Sequence, residues 1–388
     1  MTETLRLGFL PLVDAAPLIV AEAMGFAEEE GLALELVAAP SWAALRDLLA
    51  IGQVAAAQML APLPIALALG LGGPARFEAL SVLNLNGNAI GVSHELAKRM
   101  QSHDFALTDA RAAGRAMLAA AGQGLRIGVP FAFSMHRELV DYWLEGLGQP
   151  LPGGLQIITV PPPLMPDALA AGEVDAFCVG EPRGSVAVDR NAGQLLLPTS
   201  AIWASAPEKV LAVRAGWAEA EPDLSGRLLR AVWRAGRWLD TAKNHSVASE
   251  ILAQPGRLEV SAEVLERSLT GRLVIEATGE ERMVPGFLRF HAGAAGFPWR
   301  SQAAWIGTRL ARRHGLDPKM AETIAAGVFR SDIYRLHLGL AGADLPAASA
   351  KVEGSLDQPT PVASSRGKLI LPPDHFFDAQ VFDPGRPG

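Results

Sequence analysis

Short apolar runs alternate with stretches of helical spacing through the first half of this chain, and that alternation predicts its architecture. Residues 5–11 form an apolar run, and 15–26 repeat at helical period with Pro17 near the first turn, where a missing N–H costs little. Gly25 and Gly31 bracket a turn before 32–37, which alternate as a strand does. Ser41 is placed to cap a helix over 42–51, with Gly52 just past its end. Residues 53–58 read as another strand and 62–69 as the next helix. Strand and helix alternating at this spacing predict a parallel α/β sheet.

A second block follows. Residues 81–92 read as a strand pair or a crossing segment around Gly87, and 103–120 as a helix. The spacing then predicts a strand over 125–129, a helix over 134–146 and a strand over 155–160. Pro161, Pro162 and Pro163 make a stiff loop, since each ring fixes φ and removes a donor. A short helix over 166–171 precedes a buried strand over 176–179 that ends in Gly180-Glu181-Pro182. From Leu224 onward the chain reads as mainly helical, with a Pro/Gly-rich tail from about Gly354 that wraps the surface or stays mobile. Two α/β blocks and a helical return predict two lobes with a cleft between them. Residues 1–92 and 206–388 are assigned to the first lobe, 93–205 to the second. Ligands of open parallel sheets sit beyond the carboxyl ends of strands, which directs attention to the loops after Leu10, Val37, Met59, Asn84, Val129 and Val160.

Composition narrows the function. At 388 residues and 49% hydrophobic, the chain has core material for more than one lobe. A net charge of −7 argues against a sequence-independent grip on nucleic acid, which needs a basic face. It leaves a small anion possible, because such a pocket needs only one or two local cations. The single cysteine, Cys178, excludes an internal disulfide framework and a Cys-based zinc cluster. No apolar stretch is long enough to span a bilayer; the richest, 54–71, is broken by Gln58, Pro62 and Pro64. The first residues run straight into a strand without the pattern of an export signal, so a cytoplasmic location is expected.

Several segments, in order along nearly the whole chain, carry a resemblance. They include Gly8-Phe9-Leu10-Pro11-Leu12-Val13-Asp14, Gln58-Met59-Leu60-Ala61-Pro62, Asn86-Gly87-Asn88-Ala89-Ile90, Val160-Pro161-Pro162-Pro163, Gly180-Glu181-Pro182 and Pro207-Glu208-Lys209-Val210. Together these resemble the nitrate- and bicarbonate-binding proteins of ABC uptake systems. The resemblance implies an α/β, two-lobed periplasmic-binding-protein-like fold of type II, with a ligand cleft between the lobes, no catalytic machinery and no cofactor. The expected start without a leader is most similar to a cytoplasmic branch of nitrate/nitrite sensors. That branch implies an ANTAR-type RNA-binding antiterminator protein as partner and no direct contact with nucleic acid or membrane. The alternative is the substrate-binding component of a nitrate or bicarbonate ABC transporter.

Nitrate has only acceptor oxygens, so its pocket should offer donors with net positive character. The resemblance places a ligand-contacting lysine at Lys209, where the bicarbonate branch suits an acidic residue or metal; spacing alone reads Lys209 and Glu208 as a solvated surface pair. It also places an indole donor at Trp42, which otherwise reads as a core or cleft-wall aromatic. His136, opening a helix, stands as a ligand contact or equally as a satisfied interdomain histidine. Asn88 replaces a glutamine of the uptake relatives and otherwise reads as a turn residue after Gly87. Asp14 reads as a helix N-cap, and Glu181 as a hinge carboxylate accepting from backbone. The remaining histidines lack metal spacing, and a thiamine-pyrimidine synthase of similar fold would need a cysteine-rich motif that is missing here.

Overall fold

The computed structural model describes residues 2–100, 109–122, 124–149 and 153–385. The expected helix over 103–120 begins outside the described residues and is seen as Ala110–Ala120. Ten strands build two sheets: β1 (Glu3–Phe9), β2 (Leu32–Ala38), β3 (Ala56–Leu60), β4 (Phe77–Asn86), β5 (Asn88–Ser93), β6 (Leu125–Val129), β7 (Leu155–Thr159), β8 (Ala176–Gly180), β9 (Gly193–Pro198) and β10 (Pro207–Arg214). The first sheet runs β4-β10-β3-β1-β2, with a two-residue strand, Leu288–Arg289, outside β4. The second runs β7-β6-β8-β5-β9. This is the α/β two-lobed architecture that the sequence predicts.

The sheets are mixed, not purely parallel as alternation suggested. β10 lies antiparallel to both β3 and β4, and β5 antiparallel to both β8 and β9. The reason is topological: these are the strands by which the chain enters one sheet directly from the other, so no crossover helix precedes them. β4 hands over to β5 through Gly87 at φ 88°, where a Cβ would come within 2.7 Å of the Leu288 side chain. The return runs from Pro198 to Pro207. The first change of sheet therefore falls at Gly87, ahead of the boundary at 92 drawn from sequence.

The C-terminal part does not stay with the first lobe. A short hairpin, Arg272–Val274 with Glu281–Met283, joins the second lobe, where Leu273, Val284 and Phe287 pack with Met165, Phe177 and Val179. The helix Arg300–His314 packs on the helices Pro62–Ala68 and Pro318–Val328. From its far face Arg313 reaches Glu138 at 2.6 Å and Arg309 reaches Glu145 at 2.7 Å, both on the second-lobe helix Met135–Gly146. The tail wraps back over the junction: Phe376 stacks on Trp203, and the Tyr142 hydroxyl donates to Asp378 at 2.8 Å. No described helix is long and apolar enough to cross a membrane.

Candidate functional site

Loops and strand ends of both sheets converge at one point. After β2, Ser41 caps the helix Trp42–Ala50 by accepting from the Ala44 N–H at 3.2 Å, which fixes Trp42 as its first residue. After β6, Ser134 caps the helix Met135–Gly146 in the same way, accepting from Arg137 N–H at 3.2 Å and placing His136 in the first turn. Asn88 opens β5, Gly180 ends β8, and Lys209 lies near the start of β10. Lys209, His136 and Asn88 are 0% exposed and Trp42 1%. All four sequence candidates therefore meet in one buried cluster, three of them polar groups that need partners.

Lys209 is not a solvated surface residue. Its ammonium group donates to Glu208 Oε1 at 2.7 Å and lies 2.8 Å from Asp14 Oδ2, with its Nζ 5.4 Å from the Trp42 ring centre. Neighbours on a regular strand point to opposite faces. Here the pairing of β10 with β4 shifts register on both sides of Lys209, so Glu208 and Lys209 turn their ends together. Asp14 is not a helix cap: it sits in the turn Val13–Ala15, and the helix Ala16–Ala23 has no side-chain cap. Its carboxylate instead accepts from the Gln58 side chain, whose own oxygen accepts from the Leu10 N–H at 2.8 Å. Gln58 thus locks the Asp14 carboxylate in the cleft.

Burial raises the carboxyl groups of Asp14 and Glu208, against the opposing pull of Lys209. Burial also pulls Lys209 down, but the two carboxylates outweigh it and the net shift is upward. His136 is held well below its ordinary value by burial and by the Lys209 charge, so it is a neutral imidazole. Its Nδ1 lies 3.3 Å from Glu208 Oε1 without the alignment of a hydrogen bond. The Asn88 amide lies close enough to Glu208 to favour the ionised form, yet it too completes no regular hydrogen bond. The Trp42 indole N–H likewise has no partner among the described residues. Asn88, Asp14 and His136 face Gly180. A Cβ there would sit 3.3 Å from Asn88 Oδ1, 3.3 Å from Asp14 Oδ2 and 3.8 Å from His136 Nε2.

Gly180, Asp14, Gln58 and Glu208 are the members that sequence reasoning missed as site residues. Gly180 had a signal, a glycine closing an otherwise apolar strand, while the convergence of Glu208 depends on a bulge no local pattern announces. The loop after Val160 contributes none of these side chains. Glu181 lies beside the cluster and accepts from a backbone group, the Ser185 N–H at 3.1 Å, and its buried carboxyl is pushed up to about 7. Among the described residues no group of His, Cys, Asp and Glu is placed to hold a metal ion.

Buried polar groups without protein partners, set where two mixed-sheet lobes meet, fit a solute-binding protein. The chain belongs to the NMT1-like family, whose model matches residues 1–253. It is 31% identical over 395 residues to the nitrate/nitrite binding protein NrtA of Nostoc sp., covering 100% of this chain and 84% of that protein. It is 33% identical over 390 residues to the nitrate import ATP-binding protein NrtC of Synechococcus elongatus, covering 99% of this chain but 54% of that protein. The chain thus spans about half the length of these ATP-binding relatives. The crystal structure of the periplasmic nitrate-binding protein NrtA from Synechocystis matches with a TM-score of 0.83 at 26% identity, covering 99% of this chain and 96% of that one. The bicarbonate-binding protein CmpA of Synechococcus elongatus is also similar, at 26% over 402 residues, 99% of this chain and 85% of that protein.

Proposed function

We propose that this protein is a nitrate/nitrite receptor that closes its lobes over the anion, and that it acts in the cytoplasm as a sensor. The observation that carries the anion reading is the set of donors without protein partners, Asn88 and His136 beside Gly180 and Trp42 against the Lys209 ammonium. A flat acceptor-only ion takes hydrogen bonds from each of these and returns none. The first-lobe members (Lys209, Trp42) and the second-lobe members (His136, Asn88) are brought together only when the lobes meet, so the ligand favours the closed form. In the sensor reading, closure changes the surface offered to an ANTAR-type antiterminator protein. A second reading, the substrate-binding component of an ABC importer, is favoured by the names of the NrtA and NrtC relatives.

Isothermal calorimetry with nitrate, nitrite and bicarbonate tests the ligand. Micromolar binding of a nitrogen oxyanion, about −8 kcal/mol, is expected. No heat and no thermal shift with either nitrogen oxyanion removes the proposal. Affinity capture from cells grown with and without nitrate separates the two roles. An RNA-binding partner that leaves or joins with nitrate supports the sensor; a membrane permease alone supports uptake.

A further inference from the structure

Charge in the cleft does not suit a bare anion. One ammonium group, Lys209, touches two carboxylates, Glu208 at 2.7 Å and Asp14 at 2.8 Å, and all three are buried. With each in its ordinary ionic form the trio carries −1. A monoanion beside it raises that to −2 among buried groups that bulk solvent screens little, an arrangement that proteins relieve by protonating a carboxylate.

The groups facing the trio offer no other relief. His136, from the helix Met135–Gly146, is neutral next to Lys209. Gln58 from β3, Asn88 from β5 and Trp42 from the helix Trp42–Ala50 carry no charge. Cys178 on β8 is a buried thiol pushed well up by burial and by Glu208. Arg183 points its guanidinium to the Pro11 carbonyl at 3.5 Å, and Glu181 turns its carboxyl to Ser185 and Ser268. Two of the three Lys209 N–H bonds are engaged by carboxylates, which leaves one for a ligand.

From this geometry, and resting on the anion reading above, we infer that Asp14 and Glu208 are site residues that take up one proton as the anion binds, so that anion and proton enter together. The proton resides on one of the two carboxyl groups. Lys209 then neutralises the other, and the site with its ligand carries −1, as it did before. Burial raises the carboxyl groups of Asp14 and Glu208, which favours that uptake.

The test is nitrate and nitrite calorimetry on the whole protein, at several pH values and in buffers of different ionisation heat. Coupled uptake of one proton gives a buffer-dependent heat and an affinity that weakens about tenfold per pH unit on the alkaline side. An affinity flat from about pH 6 to pH 9, with equal heats in all buffers, overturns the inference and leaves the receptor standing. Absence of binding at every pH removes the receptor reading itself. Asp14→Asn and Glu208→Gln assign the proton: the slope flattens in at least one of them, and if both keep the wild-type proton count the trio is not its holder. Should either variant not fold, infrared difference spectra of the wild type supply the answer. A protonated-carboxyl band gained with nitrate supports the inference, and an unchanged carboxyl region overturns it.

Discussion

Lys209 holds two carboxylates apart from each other as well as offering charge to a ligand, so its replacement acts in two ways. Lys209→Met removes the ammonium of the cluster; the expected loss is about 3 kcal/mol, more than a hundredfold in nitrate affinity measured by calorimetry. The same change leaves Asp14 and Glu208 buried without their counter-ion, and a melting temperature that falls further below wild type as pH rises is expected. Gly180 separates ligand space from folding. Its backbone is not in the left-handed region, and an added methyl meets Asn88 and Asp14 at 3.3 Å, a contact that small side-chain shifts relieve. Gly180→Ala should therefore weaken anion binding about tenfold or more while moving the melting temperature by only a few degrees. Equal affinity in the two proteins would place the pocket elsewhere. At this scale the sequence named Lys209, Trp42, His136 and Asn88 through family likeness, whereas Asp14 misled because an acidic residue before an apolar helical stretch has the same local look as an N-cap.

Elements were legible where a local signal marked them. Ser41 announced its helix and caps it, which is why Trp42 was placed in a first turn, while Ser134, read as the first residue of a helix, proves to be its cap. The strand expected over 53–58 is displaced to Ala56–Leu60, because Gln53 and Val54 complete the preceding turn by bonding back to the Leu48 carbonyl. β10 had no alternation to betray it: seven of its eight residues are buried, and its neighbours β3 and β4 cover both edges. The helix Met135–Gly146 carries a second consequence. Glu138, buried against Arg313, has its carboxyl pushed up to about 7 by burial, with Arg313 opposing and Asp141 assisting. A carboxyl raised on folding binds more protons folded than unfolded between about pH 4.5 and 7, so it costs stability progressively as pH rises through that window. Glu138→Gln copies the protonated form. Its melting temperature relative to wild type should therefore be more favourable at pH 8 than at pH 5; a difference independent of pH would show that Glu138 is an ordinary ionised partner of Arg313.

At the scale of the whole molecule, a site whose polar groups are fully buried exchanges its ligand only when the lobes part. Two of the covalent links between them, at Gly87 and between Pro198 and Pro207, contain no α-helix to resist rotation, and the chain crosses again on either side of the hairpin formed by 272–274 and 281–283. Resistance comes instead from side chains on the far side of the junction. Arg313, on the first-lobe helix Arg300–His314, reaches Glu138, Asp141 at 3.3 Å and the Ala132 carbonyl at 3.1 Å. Arg309 holds Glu145, and Asp378 of the tail holds Tyr142. All of these partners except Ala132 and Asp378 ride on the helix whose first turn carries His136, so the brace and the anion act on one rigid body. Breaking the brace favours the open form without touching the anion's own contacts. Arg313→Ala should raise the nitrate dissociation rate by about tenfold, the worth of 1–2 kcal/mol of partly buried ion pairing, and leave the association rate within about twofold. Scattering should show the same variant more expanded than wild type without nitrate and equally compact at saturation. Unchanged dissociation with an intact fold would mean that closure is held by the anion alone and that the helix Arg300–His314 is only scaffolding.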